Sequence, residues 1–170
     1  MAGVARVAST SAGAGVAVPL DSIVVLGYAA GMKALTLTQP WASLVALGLK
    51  RVETRSWSTA YRGALAIHAA KGFPPYARKF AEGVCVLGLV PACLPFSEIV
   101  ATCEVVACWP TEEMVLVVDR HERRLGDYTP GRWAFKLEQV RALRVPVYCR
   151  GALGLWSLPG EVEALVLAGL

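Results

Sequence analysis

The run Ile99 to Trp109, IVATCEVVACW, constrains the fold more than any other stretch. It is the longest strand candidate in the chain, and Glu104 is its single charge. A strand this apolar is covered on most of its surface, so other strands and helices have to be built around it. Lys33 to Thr38 (KALTLT) alternates apolar with small or polar residues, as a half-buried strand does. Ala64 to Ala69 (ALAIHA) reads as a buried strand, and Arg132 to Leu137 (RWAFKL) and Leu143 to Tyr148 (LRVPVY) as two more. Pro146 marks the last as an edge or a bulge, because proline cannot donate to a ladder.

Helical signals are fewer. Pro40 to Leu47 places Leu44 and Leu47 on one face, with Thr38 as the expected cap and Pro40 in the first turn. Gly48 ends that helix. Pro74 and Pro75 open a short helix through Glu82, and a Gly/Cys/Pro-rich connection follows from Gly83 to Pro95. Glu112 to Arg124 is a polar excursion, partly helical. Gly151 to Trp156 (GALGLW) reads as a tight turn, and Glu161 to Leu167 as a closing helix. Many strands and few helices, with no internal repeat, point to an α+β, mostly β fold: a small barrel with helices packed outside.

Length and composition close off other classes. A chain of 170 residues holds one domain with a real core. At 55% hydrophobic and 18% charged it is not disordered. The longest apolar region, Val16 to Ala30, is broken by Pro19, Asp21 and Ser22 and falls short of the roughly 20 residues a spanning helix needs. It also makes a poor signal peptide, with Arg6 as the only early cation. The expectation is a cytoplasmic protein with no membrane association. The five cysteines form no C-x-x-C pair, and neither His68 nor His121 has ligand spacing to them. We therefore expect buried reduced thiols, no metal and no cofactor. Residues Met1 to Gly31 are Ala/Gly/Val/Ser-rich and weakly periodic, and read as an N-terminal extension, either disordered or an upstream start, ahead of a domain at 32–170. The rival reading is an apolar arm around Ser22 to Tyr28, which makes the chain a protein-interaction module.

Against this apolar background, GLKRVETRSW at Gly48 to Trp57 concentrates charge. A period of two places Arg51, Glu53, Arg55 and Trp57 on one strand face. Lys50 sits at the helix-to-strand junction, where a side chain turns into a cleft or stays a solvated loop lysine. Glu53 either joins an ion-pair ladder with its neighbours or orients Lys50 or Arg55 toward a ligand. Glu104 either faces solvent or pairs across a cleft with Lys50 or Arg55. The net charge of +4 and twelve Arg to five Lys favour an anionic partner, although an Arg-rich bias also follows from base composition. Trp57 is the best stacking candidate, whereas Trp41 and Trp156 read as core anchors. His68 reads as a satisfied core histidine. Arg62 and Lys71 add charge at the cleft mouth, and Arg120, Arg123 and Arg124 read as a solvated face beside Asp119 and Glu122.

The motif Gly48-x-Lys50-x-x-Glu53-x-Arg55 resembles the G-x-K-x-x-E-x-R signature of ASCH domains, in the PUA-like superfamily. Ile67 to Lys71 (IHAAK), the CEVV strand and Gly154 to Trp156 (GLW) are similar to features further along the same family, so the resemblance runs from Met32 to about Leu158. It implies a PUA-like β-barrel of five to six strands with helices at its ends and a cleft lined by the motif. It also implies binding of RNA or a modified nucleoside through that cleft. Some members resemble amidohydrolases of acetylated cytidine that use a lysine, a threonine three positions later and a later-strand glutamate. Lys50 and Glu104 match two of those places, and Glu53 stands where the threonine would be. Together with the residue reading above, the resemblance gives a binding set of Lys50, Arg55, Trp57, Arg62 and Lys71. For a hydrolase it gives a catalytic set of Lys50, Glu53 and Glu104.

Overall fold

The computed structural model describes residues 31–170, so the expected extension or arm lies, apart from Gly31, outside the described residues. Six strands form one curled mixed sheet in the order β2-β5-β4-β3-β1-β6, a half-barrel backed by helices. They are β1 (Lys33–Leu37), β2 (Val52–Arg55), β3 (Gly63–Ala69), β4 (Glu98–Pro110), β5 (Trp133–Tyr148) and β6 (Leu155–Ser157). Strand β1 runs parallel to β3 and antiparallel to β6, while β4 pairs antiparallel with both β3 and β5. Strand β2 pairs only with β5 and forms one edge.

Alternation explains the core. Leu35, Leu37, Leu65, Ile67, Val105, Phe135 and Leu137 point to the concave side, and each is 2% exposed or less. Each buried side chain of this size stabilises the fold by roughly 1.5–3 kcal/mol. Helix α1 (Trp41–Ala46) plugs the concave side, with Ala42 and Val45 in the same cluster. Helix α2 (Pro75–Val86) packs Val84 beside Leu44 and Leu125. Helix α5, which follows the short α3 (Thr111–Val117) and α4 (Arg120–Arg124), spans Gly160–Ala168 and sets Val166 against Met32, Ile99 and Leu143. None of the helices among the described residues is long and apolar enough to cross a membrane.

Four local expectations need correction. RWAFKL and LRVPVY are one strand, β5, rather than two. The residues between them are largely exposed and polar, which reads as a loop, but the ladder to β4 carries the chain through with register shifts and a left-handed Gln139 (φ 51°). Thr38 does not cap α1; Gln39 does the work, its Oε1 accepting from the Ser43 N–H at 3.2 Å and its Nε2 donating to the Pro95 carbonyl at 2.8 Å. GALGLW is a turn only as far as Gly154 (φ 67°), after which Leu155–Ser157 joins the sheet on β1. Finally, Cys103 and Cys149 are buried, but Cys85 and Cys108 are half-buried and Cys93 is exposed.

Candidate functional site

The corner between α1 and β2 builds the site. Gly48 adopts φ 71°, a conformation open to glycine at low cost, and the Leu49 and Lys50 amides then both donate to the Leu44 carbonyl. This tight exit turns Lys50 inward until it is 1% exposed. Its Nζ donates to the Val52 carbonyl and lies 3.7 Å from Glu53 Oε2 and 3.8 Å from Glu122 Oε1. Glu122 comes from α4, whose start is capped by Asp119 accepting from the Glu122 N–H at 2.8 Å. The Glu122 carboxylate accepts in turn from the N–H groups of Arg51 (2.8 Å) and Val52 (3.2 Å). It thereby covers the start of an edge strand that would otherwise offer free donors.

Glu53 has a second partner. Its Oε1 lies 3.0 Å from Arg55 Nε, an ion pair without hydrogen-bond alignment. Arg55 Nη2 donates to the Thr36 carbonyl at 2.8 Å, so one guanidinium ties β2 to β1 across the open side of the half-barrel. The Tyr128 hydroxyl is buried without a hydrogen-bond partner among the described residues, and burial, followed by the charges of Glu122, Glu53 and Asp119, pushes its pKa up. Gly126 leaves the room this net needs: a Cβ there would stand 2.9 Å from Tyr128 Cε2 and 3.4 Å from Lys50 Nζ.

Above this net opens a cleft of about 510 Å³. Its lining includes an aromatic group, with Trp41 stacked on Phe80 (4.9 Å between centroids, 4° between planes) and Tyr76 at 6.2 Å from Trp41. Arg55, Arg124 and Arg132 line it too, the last paired with Asp127 at 3.3 Å. Trp57 also lines the cleft and meets Phe135 edge-on at 5.1 Å.

Of the residues singled out from the sequence, Lys50, Glu53, Arg55 and Trp57 share this cleft. Glu104 does not line it. Strand β5 lies between β2 and β4, so Glu104 is carried away from Lys50 and Arg55 and instead accepts from Gln139 Nε2 at 3.2 Å in a separate depression. The expected pairing across the cleft is therefore absent. Arg62 is exposed and folds back on the carbonyls of Thr59 and Tyr61, at 3.1 and 2.7 Å. Lys71 lines a neighbouring depression that shares Thr36 with the cleft. His68 is buried, its Nε2 bonded to the Cys149 carbonyl at 2.9 Å, and burial lowers its pKa.

Sequence reasoning missed Tyr76, Arg124, Arg132 and Glu122, and assigned Trp41 to packing alone. One signal was present for Glu122: Asp119-x-x-Glu122 has the spacing of a helix start. The arginines carried no comparable signal: Arg124 reads as part of a solvated face beside Asp119 and Glu122, and Arg132 only as the start of a strand.

The ASCH domain family matches residues 35–145 of this chain. The chain belongs to the ASCH family. Its half-barrel has the fold of a mutant ASCH protein from Zymomonas mobilis, with a TM-score of 0.52 at 14% identity over 82% of this chain and 98% of that one. A second ASCH structure from Zymomonas mobilis gives 0.50 at 16% identity, covering 82% and 95%. Short segments are similar to activating signal cointegrator 1. The mouse protein is 52% identical over 48 residues and the human protein 55% identical over 40. Those segments take up 28% and 24% of this chain but only 8% and 7% of the two relatives. This ASCH domain therefore corresponds to a small part of those larger proteins.

Proposed function

We propose that this ASCH domain binds single-stranded RNA, seating a base or modified nucleoside in the cleft beneath Trp41 and Trp57. The observation that carries the reading is that aromatic side chains and three arginines line one cleft of about 510 Å³. Stacking on such side chains is worth about 1–3 kcal/mol per base. Arginine adds forked donors for phosphate or a base edge. Arg55 reaches that position already oriented by Glu53 and the Thr36 carbonyl. Lys50 is the positioning residue of the set: it faces Val52, Glu53 and Glu122 rather than the opening, and holds two acids in place.

The amidohydrolase reading loses support from the same geometry. Its acid, Glu104, sits in another depression, and both oxygens of the acid that does reach Lys50 from elsewhere, Glu122, are taken by backbone N–H groups.

The test is fluorescence anisotropy with a labelled, randomised eight-nucleotide RNA over a NaCl series. Binding weakens with salt. Trp41→Leu lowers affinity by about 1–3 kcal/mol. Arg124→Ala reduces the slope of log affinity against log salt by about 0.7 if it meets one phosphate. An absence of binding, or binding indifferent to both substitutions, contradicts the proposal.

A further inference from the structure

We infer that a second nucleotide subsite lies in the depression between Lys71 and Arg150, continuing the path of the strand past Thr36. This rests on the RNA-binding reading above and extends it. The depression, of about 530 Å³, is formed by the end of β3, by Ser97 and by the segment from Tyr148 to Leu153. Thr36 lines both it and the cleft, so the two depressions are neighbours.

Three features point to a nucleotide. The first is charge: Lys71 and Arg150 line the depression, and no Asp or Glu does among the described residues. Glu98, the register partner of Tyr148, stands on the adjacent strand but is not part of the lining. Neither cation has a salt bridge to a described residue, in contrast to Lys50 and Arg55. The second is an unoccupied stacking surface, since Tyr148 is 76% exposed beside those cations. An exposed aromatic next to unpaired basic groups is the arrangement that single-stranded nucleic acid uses.

The third is a fixed floor. His68 ties down the Cys149 carbonyl, the Cys149 N–H donates to the Ser97 carbonyl at 2.9 Å, and Thr36 Oγ1 donates to the Ala152 carbonyl at 2.9 Å. Gly151 lies so close to the imidazole that a Cβ there would stand 2.6 Å from His68 Nδ1. The segment presenting Tyr148 and Arg150 is thus held in place before a ligand arrives, which reduces the ordering cost of binding.

The experiment compares labelled randomised RNAs of two, four and eight nucleotides on wild type, on a Lys71→Gln/Arg150→Gln variant and on Tyr148→Ala. All three positions are exposed, and unchanged thermal unfolding verifies the fold. We expect the double variant to bind the two-nucleotide RNA as wild type does and the eight-nucleotide RNA roughly tenfold more weakly, with a salt slope smaller by about 1.4 for two lost phosphate contacts. Tyr148→Ala weakens the longer RNA and leaves the slope unchanged. Wild-type affinity and slope of the double variant on the eight-nucleotide RNA overturn the subsite alone, provided that Trp41→Leu still weakens binding. Failure of wild type to bind any of the three removes the cleft reading and the subsite with it.

Discussion

Lys50 and Lys71 stand at neighbouring depressions joined by Thr36, in opposite circumstances. Lys50 is 1% exposed and meets a carbonyl and two carboxylates, whereas Lys71 is exposed and forms no salt bridge with a described residue. The difference separates two uses of one residue type. A buried ammonium with two acids around it is a structural hub, because removing it leaves two largely buried carboxylates short of a cation. An exposed ammonium on a lining without acids is available to a ligand. The lysine of the family motif is thus the one that organises the cleft, and under the proposed function contact with a ligand would fall to the arginines and aromatics around it.

The largest effect that tests this contrast is on stability. Lys50→Met leaves Glu122 buried without its cation and Glu53 with Arg55 alone, and should cost about 3–5 kcal/mol in urea unfolding. Lys71→Met should change unfolding by less than about 0.5 kcal/mol. Equal effects at the two positions would erase the distinction. A smaller effect sharpens it: Gly126→Ala forces a Cβ against the Tyr128 ring, 2.9 Å from Cε2, and should destabilise by about 1–3 kcal/mol while leaving the Lys71 side intact. The smallest concerns His68 under the Lys71 depression. Burial lowers its pKa from the ordinary 6.5, so the folded ring stays neutral where the unfolded chain takes up a proton. The stability is complete above about 6.5 and declines as pH falls below that value toward the folded pKa, with a slope of at most about 1.4 kcal/mol per pH unit. His68→Gln, which keeps a donor for Cys149, should flatten that part of the curve.

How much of this was legible in the sequence depended on whether local rules decided the outcome. KALTLT, ALAIHA and IVATCEVVACW became β1, β3 and β4 because their apolar pattern matches burial in the sheet. Gly48 ended its helix because the left-handed position demands little of glycine. Glu53 and Arg55 came together because residues two apart share a strand face. What local rules do not carry is strand order. The separation of Glu104 from Lys50 follows from β5 lying between β2 and β4, and no spacing along the chain encodes that. The continuity of β5 was hidden for a related reason, since pairing with β4 overrides the loop-like composition around Gln139. Arg124, the last residue of α4, and Arg132, just before β5, line the cleft, which is likewise a tertiary outcome.

The central claim, that a base is seated among the aromatic and arginine side chains of the cleft, is tested most directly by NMR of the indole N–H groups during RNA titration. The chain has five tryptophans, so the signals can be assigned one by one by substitution. The account predicts that the Trp41 and Trp57 resonances shift together with added RNA while Trp109, which lies on β4 outside the cleft, holds still. Movement of Trp109 with Trp41 and Trp57 unmoved would contradict it.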